Sequence, residues 1–186
     1  PGSAQRLLGL AQEVGAAARA GPVWRWLLAL GAAGALLALV RPLLRRLRDV
    51  VATRAPHGRL RRSLFALGRT LLPPVAVLLA LQCLRWGFGS AARLPAAVDA
   101  LLGGSVAALT FGTYVAALGH ALMSPHHPSW RLPALSDQAA HRLCGGPLLL
   151  GAAIAAGAML KRAAALAEVD LEVEVAIDTL MALLLG

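Results

Sequence analysis

Charged and aromatic side chains are scarce in this sequence of 186 residues. Charged residues make up 15% of the chain and aromatic residues 4%, whereas 58% of the residues are hydrophobic. A soluble domain is typically about 25% charged and about 45–50% apolar. The deficit of charge therefore favours a membrane protein over a soluble domain.

Motifs of common enzymes are also lacking. The sequence contains no glycine-rich phosphate loop with its lysine, no serine nucleophile elbow and no His-Glu-x-x-His zinc motif. We therefore expect no enzyme activity, no catalytic residue and no cofactor within this chain. His126 and His127 are adjacent, but further ligands at helix or turn spacing are missing, so we predict no metal site.

Acidic residues are few and gather late in the chain. They could form a cation-attracting collar or a weak Ca²⁺ site, but their spacing differs from that of a calcium-binding loop, which also needs a glycine for its turn. We interpret the group as an ordinary solvated acidic loop. Its members are Glu168, Asp170, Glu172 and Glu174.

The two cysteines, Cys83 and Cys144, are expected near opposite ends of different helices. A disulfide needs Cα atoms less than about 7 Å apart, so we predict none within one chain.

Long apolar runs dominate what is present. A membrane-spanning helix needs about 20 mostly apolar residues. Four runs approach or exceed that length, and a fifth begins near the end of the chain. The sequence thus predicts an all-α, polytopic transmembrane helical bundle with about four full spans and the start of a fifth. The predicted spans are 23–40, 64–86, 100–123 and 144–160, with 175–186 as the truncated fifth.

The predicted domain organisation follows from these runs. Residues 1–21 are mixed in character and are predicted to be a helical segment outside the bilayer, and residues 22–186 form the transmembrane domain. Small residues recur four apart within the spans, which predicts close helix packing in lipid. Because the chain opens on Pro1 and closes at Gly186 within an apolar run, we interpret it as a region of a longer protein.

Arginine is concentrated in the predicted loop 41–63, which carries eight arginines and one aspartate. Cytoplasmic loops of membrane proteins are enriched in basic residues. We therefore predict that loops 41–63 and 124–143 are cytoplasmic, and that residues 1–21, 87–99 and 161–174 face outward. The arginines can also bind anionic lipid head groups. The topology-determining residues are Arg41, Arg45, Arg46, Arg48, Arg59, Arg61 and Arg62.

A nucleic-acid partner is the other interpretation of so many arginines. No aromatic interleaving and no base-reading motif accompanies them, so we expect membrane lipids as the partner and no nucleic acid.

Tryptophan and proline mark further positions in the predicted spans. Trp24 and Trp26 begin the first span, and Trp130 lies in the second long loop, where interfacial anchors are expected. Pro73 and Pro74 lie in the middle of the second span, where they are predicted to kink the helix and to form a hinge.

The loop SPHHPSWRLPALSDQAAHRL, residues 124–143, is the most distinctive stretch, and VRPLLRRLRD follows the first span. Both resemble bacterial channels of the small-conductance mechanosensitive (MscS-like) family, in particular large members with an uncharacterised periplasmic domain before extra membrane helices. The resemblance covers residues 20–186. The loop residues that match are Pro125, Pro128, Trp130, Arg131, Leu132, Pro133, Ser136 and Asp137.

The resemblance implies the pre-pore membrane region of a mechanosensitive ion channel in the bacterial inner membrane. Such a channel releases ions and small osmolytes on hypo-osmotic stress, and it is a homo-oligomer, usually a heptamer. In that family the pore helix and a cytoplasmic β-domain follow this region, so no pore residue can be assigned here.

Two other functions stay open at this point. The chain could be a non-conducting membrane anchor or scaffold domain of a larger bacterial envelope protein. It could also be a transporter subunit, although a transporter should place polar groups near mid-membrane. Only Thr110 and Thr113 are prominent there, with Gln82 towards one end.

Overall fold

The structure, a computed structural model, describes residues 3–20, 22–54, 59–88, 94–123, 145–167 and 171–185. Within these ranges the regular secondary structure is entirely α-helical, which confirms the all-α prediction. The helices are α1 Ser3–Ala20, α2 Val23–Arg54, α3 Arg59–Phe88, α4 Ala96–Met123, α5 Gly146–Leu166 and α6 Leu171–Leu185.

Four of these helices are long and apolar enough to cross a membrane, as the sequence predicts. α6 has 15 residues and reaches only about 22 Å, which is too short to cross a membrane by itself. That it begins a fifth span stays a prediction. The four candidate spans are Val23–Leu47, Ala66–Phe88, Ala96–Leu122 and Gly146–Leu166.

The predicted loop 41–63 is wrong over most of its length. α2 continues to Arg54 and α3 begins at Arg59. Arginine and leucine are both strong helix formers, so the helix continues where the apolar run stops. Pro42 lies inside α2, where it removes one backbone donor without ending the helix.

From α2 onwards, successive helices are antiparallel, as the contacts between them show. Gly68 near the start of α3 meets Leu47 late in α2, and Gly119 late in α4 meets Pro147 at the start of α5. The bundle thus has two ends. At one end of the bundle, α2 and α4 start and α3 and α5 finish; we call this the Trp end. The opposite end is called the Arg end.

Two glycines let α4 and α5 approach closely. A Cβ added at Gly112 would collide with the carbonyl oxygen of Gly151 and lie 2.9 Å from the Cβ of Ala155. A Cβ added at Gly151 would collide with the Gly112 carbonyl in the same way. Backbones in such contact gain van der Waals packing, which drives helix association in lipid. α4 and α5 also share the most extensive interface between helices.

Helix α1 packs at the Trp end. Its apolar residues Leu7, Leu10 and Val14 share one face and surround, with Leu101 of α4 and Ala163 of α5, a cavity of about 370 Å³. The predicted N-terminal helix is thus present. Its position outside the bilayer stays a prediction.

Most large apolar side chains face outward. In the most apolar windows of the four candidate spans, only 11% to 22% of the residues are buried inside the protein. The buried positions are mainly small, such as Ala29 and Ala80, while Leu30, Leu79 and Phe111 are about half exposed. A water-soluble protein of this size would bury such side chains; a bundle in hydrocarbon has no reason to.

We predict that Gly112→Ala destabilises the bundle, because the new methyl group forces the α4 and α5 backbones apart. Overpacking of this kind costs about 1–3 kcal/mol. Thermal unfolding in detergent, followed by circular dichroism, should show a lower midpoint.

Gly34→Ala is the matched control, since a Cβ there meets no atom within 4 Å. Alanine is about 1 kcal/mol better than glycine in a helix, so this variant should melt at the same or a higher temperature. Equal unfolding midpoints for the Gly112→Ala and Gly34→Ala variants would contradict the close contact between α4 and α5.

Candidate functional site

Aromatic rings and an arginine form a cluster at the Trp end. Trp24 is 53% exposed and Trp86 49% exposed. The guanidinium carbon of Arg25 lies 5.3 Å from the ring centroid of Trp24 and 6.0 Å from that of Trp86. These distances permit cation–π attraction. Amphipathic rings of this kind favour the level of the lipid head groups.

Trp26 belongs to the same end but makes contacts within the protein. Its indole N–H donates to the carbonyl oxygen of Ala18 in α1, at 3.0 Å. Its ring meets that of Phe88 edge to face, with centroids 4.6 Å apart. Trp26 therefore joins α1, α2 and the end of α3.

Ion pairs join neighbouring helices at or near this end. Arg85 of α3 donates to Asp99 of α4 at 2.6 Å, and Lys161 of α5 pairs with Asp178 of α6. All four side chains are one-third to one-half exposed, so each pair contributes at most about 1 kcal/mol. Their main effect is to fix the register of adjacent helices. The sequence analysis missed the first pair, although opposite charges flank the short connection between two predicted spans.

The arginines predicted to determine topology converge on the Arg end. Arg41, Arg45 and Arg46 are exposed on α2 and lie in the last part of the candidate span Val23–Leu47. Arg48 lies in the same helix, and Arg59, Arg61 and Arg62 lie in the first turns of α3; the structure describes only the backbone of these four. Because α2 and α3 are antiparallel, all seven positions lie in the Arg-end half of the α2–α3 hairpin. Trp130 and Cys144 fall outside the described residues.

The predicted hinge residues lie within α3, which is helical on both sides of them. Pro73 and Pro74 have no backbone N–H, so they cannot donate to the carbonyls of Arg69 and Thr70, four residues earlier. The hydroxyl of Thr70 donates to the Ala66 carbonyl at 2.9 Å, a bond that often bends helices. The backbone of α3 is thus weakened over two consecutive turns.

Thr110 of α4 differs from Ser105 and Thr113 of the same helix. Ser105 and Thr113 donate to carbonyls four residues earlier in α4, at 2.8 and 2.7 Å. The oxygen of Thr110 is buried and has no hydrogen-bond partner among the described residues. A buried hydroxyl without a partner costs about 1–3 kcal/mol.

Helix register places Thr110 opposite the proline pair. Asp99 and Thr110 are eleven residues apart on α4, and Arg85 and Pro74 are eleven apart on α3. Each distance is about 16 Å along a helix axis, so both residues lie at the same depth from the ion pair. Asp99 and Thr110 are also on the same face of α4, because eleven residues complete about three turns.

The chemistry of the described residues is otherwise sparse. They include no group of three His, Cys, Asp or Glu side chains that could hold a metal ion. Cys83 is a free thiol. No family model, curated protein or solved structure matches this chain.

We predict that the arginines of the Arg end set the orientation of the bundle. Replacing Arg41, Arg45, Arg46 and Arg48 with glutamine should produce a population with α2 and α3 inverted, because basic residues are retained on the cytoplasmic side. The orientation is measured with Ser63→Cys as the only cysteine of the protein. A membrane-impermeant maleimide added to intact cells labels this cysteine only where it faces outward.

Arg85→Gln, a single change at the opposite end, is the control, and it should leave the cysteine at position 63 protected from the maleimide. Labelling of this cysteine without any arginine replacement would contradict the predicted topology.

Proposed function

We propose that this chain is the tension-sensing membrane region of a mechanosensitive ion channel that releases ions and small osmolytes on hypo-osmotic stress. The proposed location is the bacterial inner membrane, with the Arg end and the connection 124–143 in the cytoplasm. The observation that carries the proposal is the weakened stretch of α3 at Pro73 and Pro74, within helices whose large apolar side chains face outward.

The contacts around α3 suggest which parts would move. α4 and α5 are held together by the close approach of Gly112 and Gly151. The Trp-end half of α3 is attached to its neighbours through the Arg85–Asp99 ion pair and the contact of Phe88 with Trp26. The Arg-end half of α3 precedes the prolines and packs on α2 through the Gly68 and Leu47 contact. This half of the α2–α3 hairpin would bend relative to the rest.

The outward apolar side chains couple such a bend to the bilayer. Tension thins and spreads the membrane, and a helix pays a fraction of a kcal/mol for each ångström of mismatch. A single helix would respond weakly. The proposal therefore includes a homo-oligomer in which the mismatch free energies of many helices add up. This oligomer is a heptamer if the MscS-like resemblance holds. A two-state gate responds to the difference in free energy between its two states.

Thr110 supports a bend at this depth. Its buried hydroxyl lies opposite the proline pair, whose missing N–H groups leave the carbonyls of Arg69 and Thr70 without their usual helical donors. A bend that brings one of these carbonyls to Thr110 would satisfy both groups. One hydrogen bond between membrane helices is worth about 0.6–2 kcal/mol.

A non-conducting membrane anchor or scaffold is the second candidate. The outward apolar surface of the four candidate spans favours it equally, because an anchor needs lipid contact and no hinge. The two functions differ in what they require of Pro73 and Pro74.

We predict that Pro73→Ala together with Pro74→Ala shifts the tension threshold of the full-length protein. Alanine restores two backbone hydrogen bonds and stiffens α3, so more tension is needed to bend it. Patch recordings from giant spheroplasts measure the threshold. Thr110→Val should shift it in the same direction.

One change serves as the control. Thr113→Val removes a hydroxyl that bonds within its own helix, so it should leave the threshold near that of the parent. No tension-gated current from the parent would support the anchor, and an unchanged threshold in the double proline variant would exclude the hinge.

A further inference from the structure

An apolar groove runs along one side of the α2–α3 hairpin at the Trp end. It has a volume of about 550 Å³ and is open to the side. Its α2 wall includes Leu28, Ala32 and Leu36, and its α3 wall includes Leu79 and Cys83. Leu28 to Leu36 spans about 12 Å, most of the roughly 15 Å of one hydrocarbon leaflet.

The mouth of this groove carries the cluster of Arg25 and the two exposed tryptophans. Trp86 lines the groove itself, and the guanidinium of Arg25 lies over its ring. A guanidinium has five N–H donors, and it binds a phosphate through two of them at once. A positive charge therefore lies beside Trp86, at one end of a groove of about acyl-chain length.

We propose that the groove binds one phospholipid, with its phosphate at Arg25 and one acyl chain along Ala32, Leu36 and Cys83. The occupant is a lipid because a groove that opens sideways from a spanning hairpin faces hydrocarbon. A packed helix would match the apolar walls but not the arginine at the mouth. Cation–π contacts with Trp24 and Trp86 hold the guanidinium at this position. The proposal is independent of tension sensing.

Native mass spectrometry of the full chain, purified in mild detergent from bacterial membranes, tests the site. The parent should retain one phospholipid per chain. Ala32→Phe fills the groove and Arg25→Gln removes the charge, so each should lower the retained phospholipid by about tenfold. Ala38→Phe, an exposed position on α2 away from the groove, should retain the lipid. Equal retention in all four proteins would overturn the proposal, and loss in Ala32→Phe alone would overturn the assignment of Arg25.

Cys83 provides a readout that does not depend on stability. With Cys144 changed to serine, the rate at which N-ethylmaleimide modifies Cys83 is measured in micelles. Added phosphatidylglycerol should slow this rate by about tenfold, and Arg25→Gln should shift the effect to higher lipid concentration. A rate that is independent of phosphatidylglycerol would contradict the site. Disulfide-linked dimers through Cys83 would show that a second copy of this chain occupies the groove instead.

Discussion

Backbone N–H and C=O groups that enter hydrocarbon must find their partners within the protein, since no water is there to bond them. This constraint accounts for the helices of the bundle and for their length. It also removes the usual reason to bury leucine: against acyl chains, an exposed leucine costs nothing. The interior is therefore left to small residues such as Ala29 and Ala80, and helix contacts depend on how closely backbones can approach. Gly112 and Gly151 provide such a contact between α4 and α5.

The same constraint makes unpaired polar groups within the bundle costly. Pro73 and Pro74 leave two carbonyls of α3 without their helical donors, which is costly in an apolar environment. A hydroxyl at the same depth on α4 is buried and has no described partner. A hydrogen bond between such a carbonyl and such a hydroxyl would lower the free energy of the bundle. A packed helix that carries them is a place where two arrangements of similar free energy can exist.

The sequence predicts much of this fold because hydropathy measures the length of hydrocarbon that a segment can cross. The four candidate spans follow from it. Hydropathy does not measure where a helix ends, so it predicts a loop over 41–63, whereas α2 continues to Arg54 and α3 begins at Arg59. Arg85–Asp99 and Trp26–Ala18 depend on how antiparallel helices align, which composition does not reveal. The small-residue pattern predicts close packing, but glycine and alanine occur on many faces, so the Gly112 and Gly151 contact emerges only from the fold. The arginines stand out because they are concentrated in one stretch between two apolar runs, and the prolines stand out because they lie in the middle of a spanning segment.

The central claim is that hydrocarbon surrounds the outward faces of α2, α3 and α4. Spin labels attached at Leu30, Leu79 and Phe111 of the chain in phospholipid vesicles test it directly. Their collision rates with oxygen, which concentrates in hydrocarbon, are compared with those for a water-soluble nickel chelate, and a label at Arg46 serves as the aqueous reference. The account predicts that oxygen dominates at the first three positions and the nickel chelate at Arg46. Nickel accessibility at Leu30, Leu79 and Phe111 equal to that at Arg46 would contradict it.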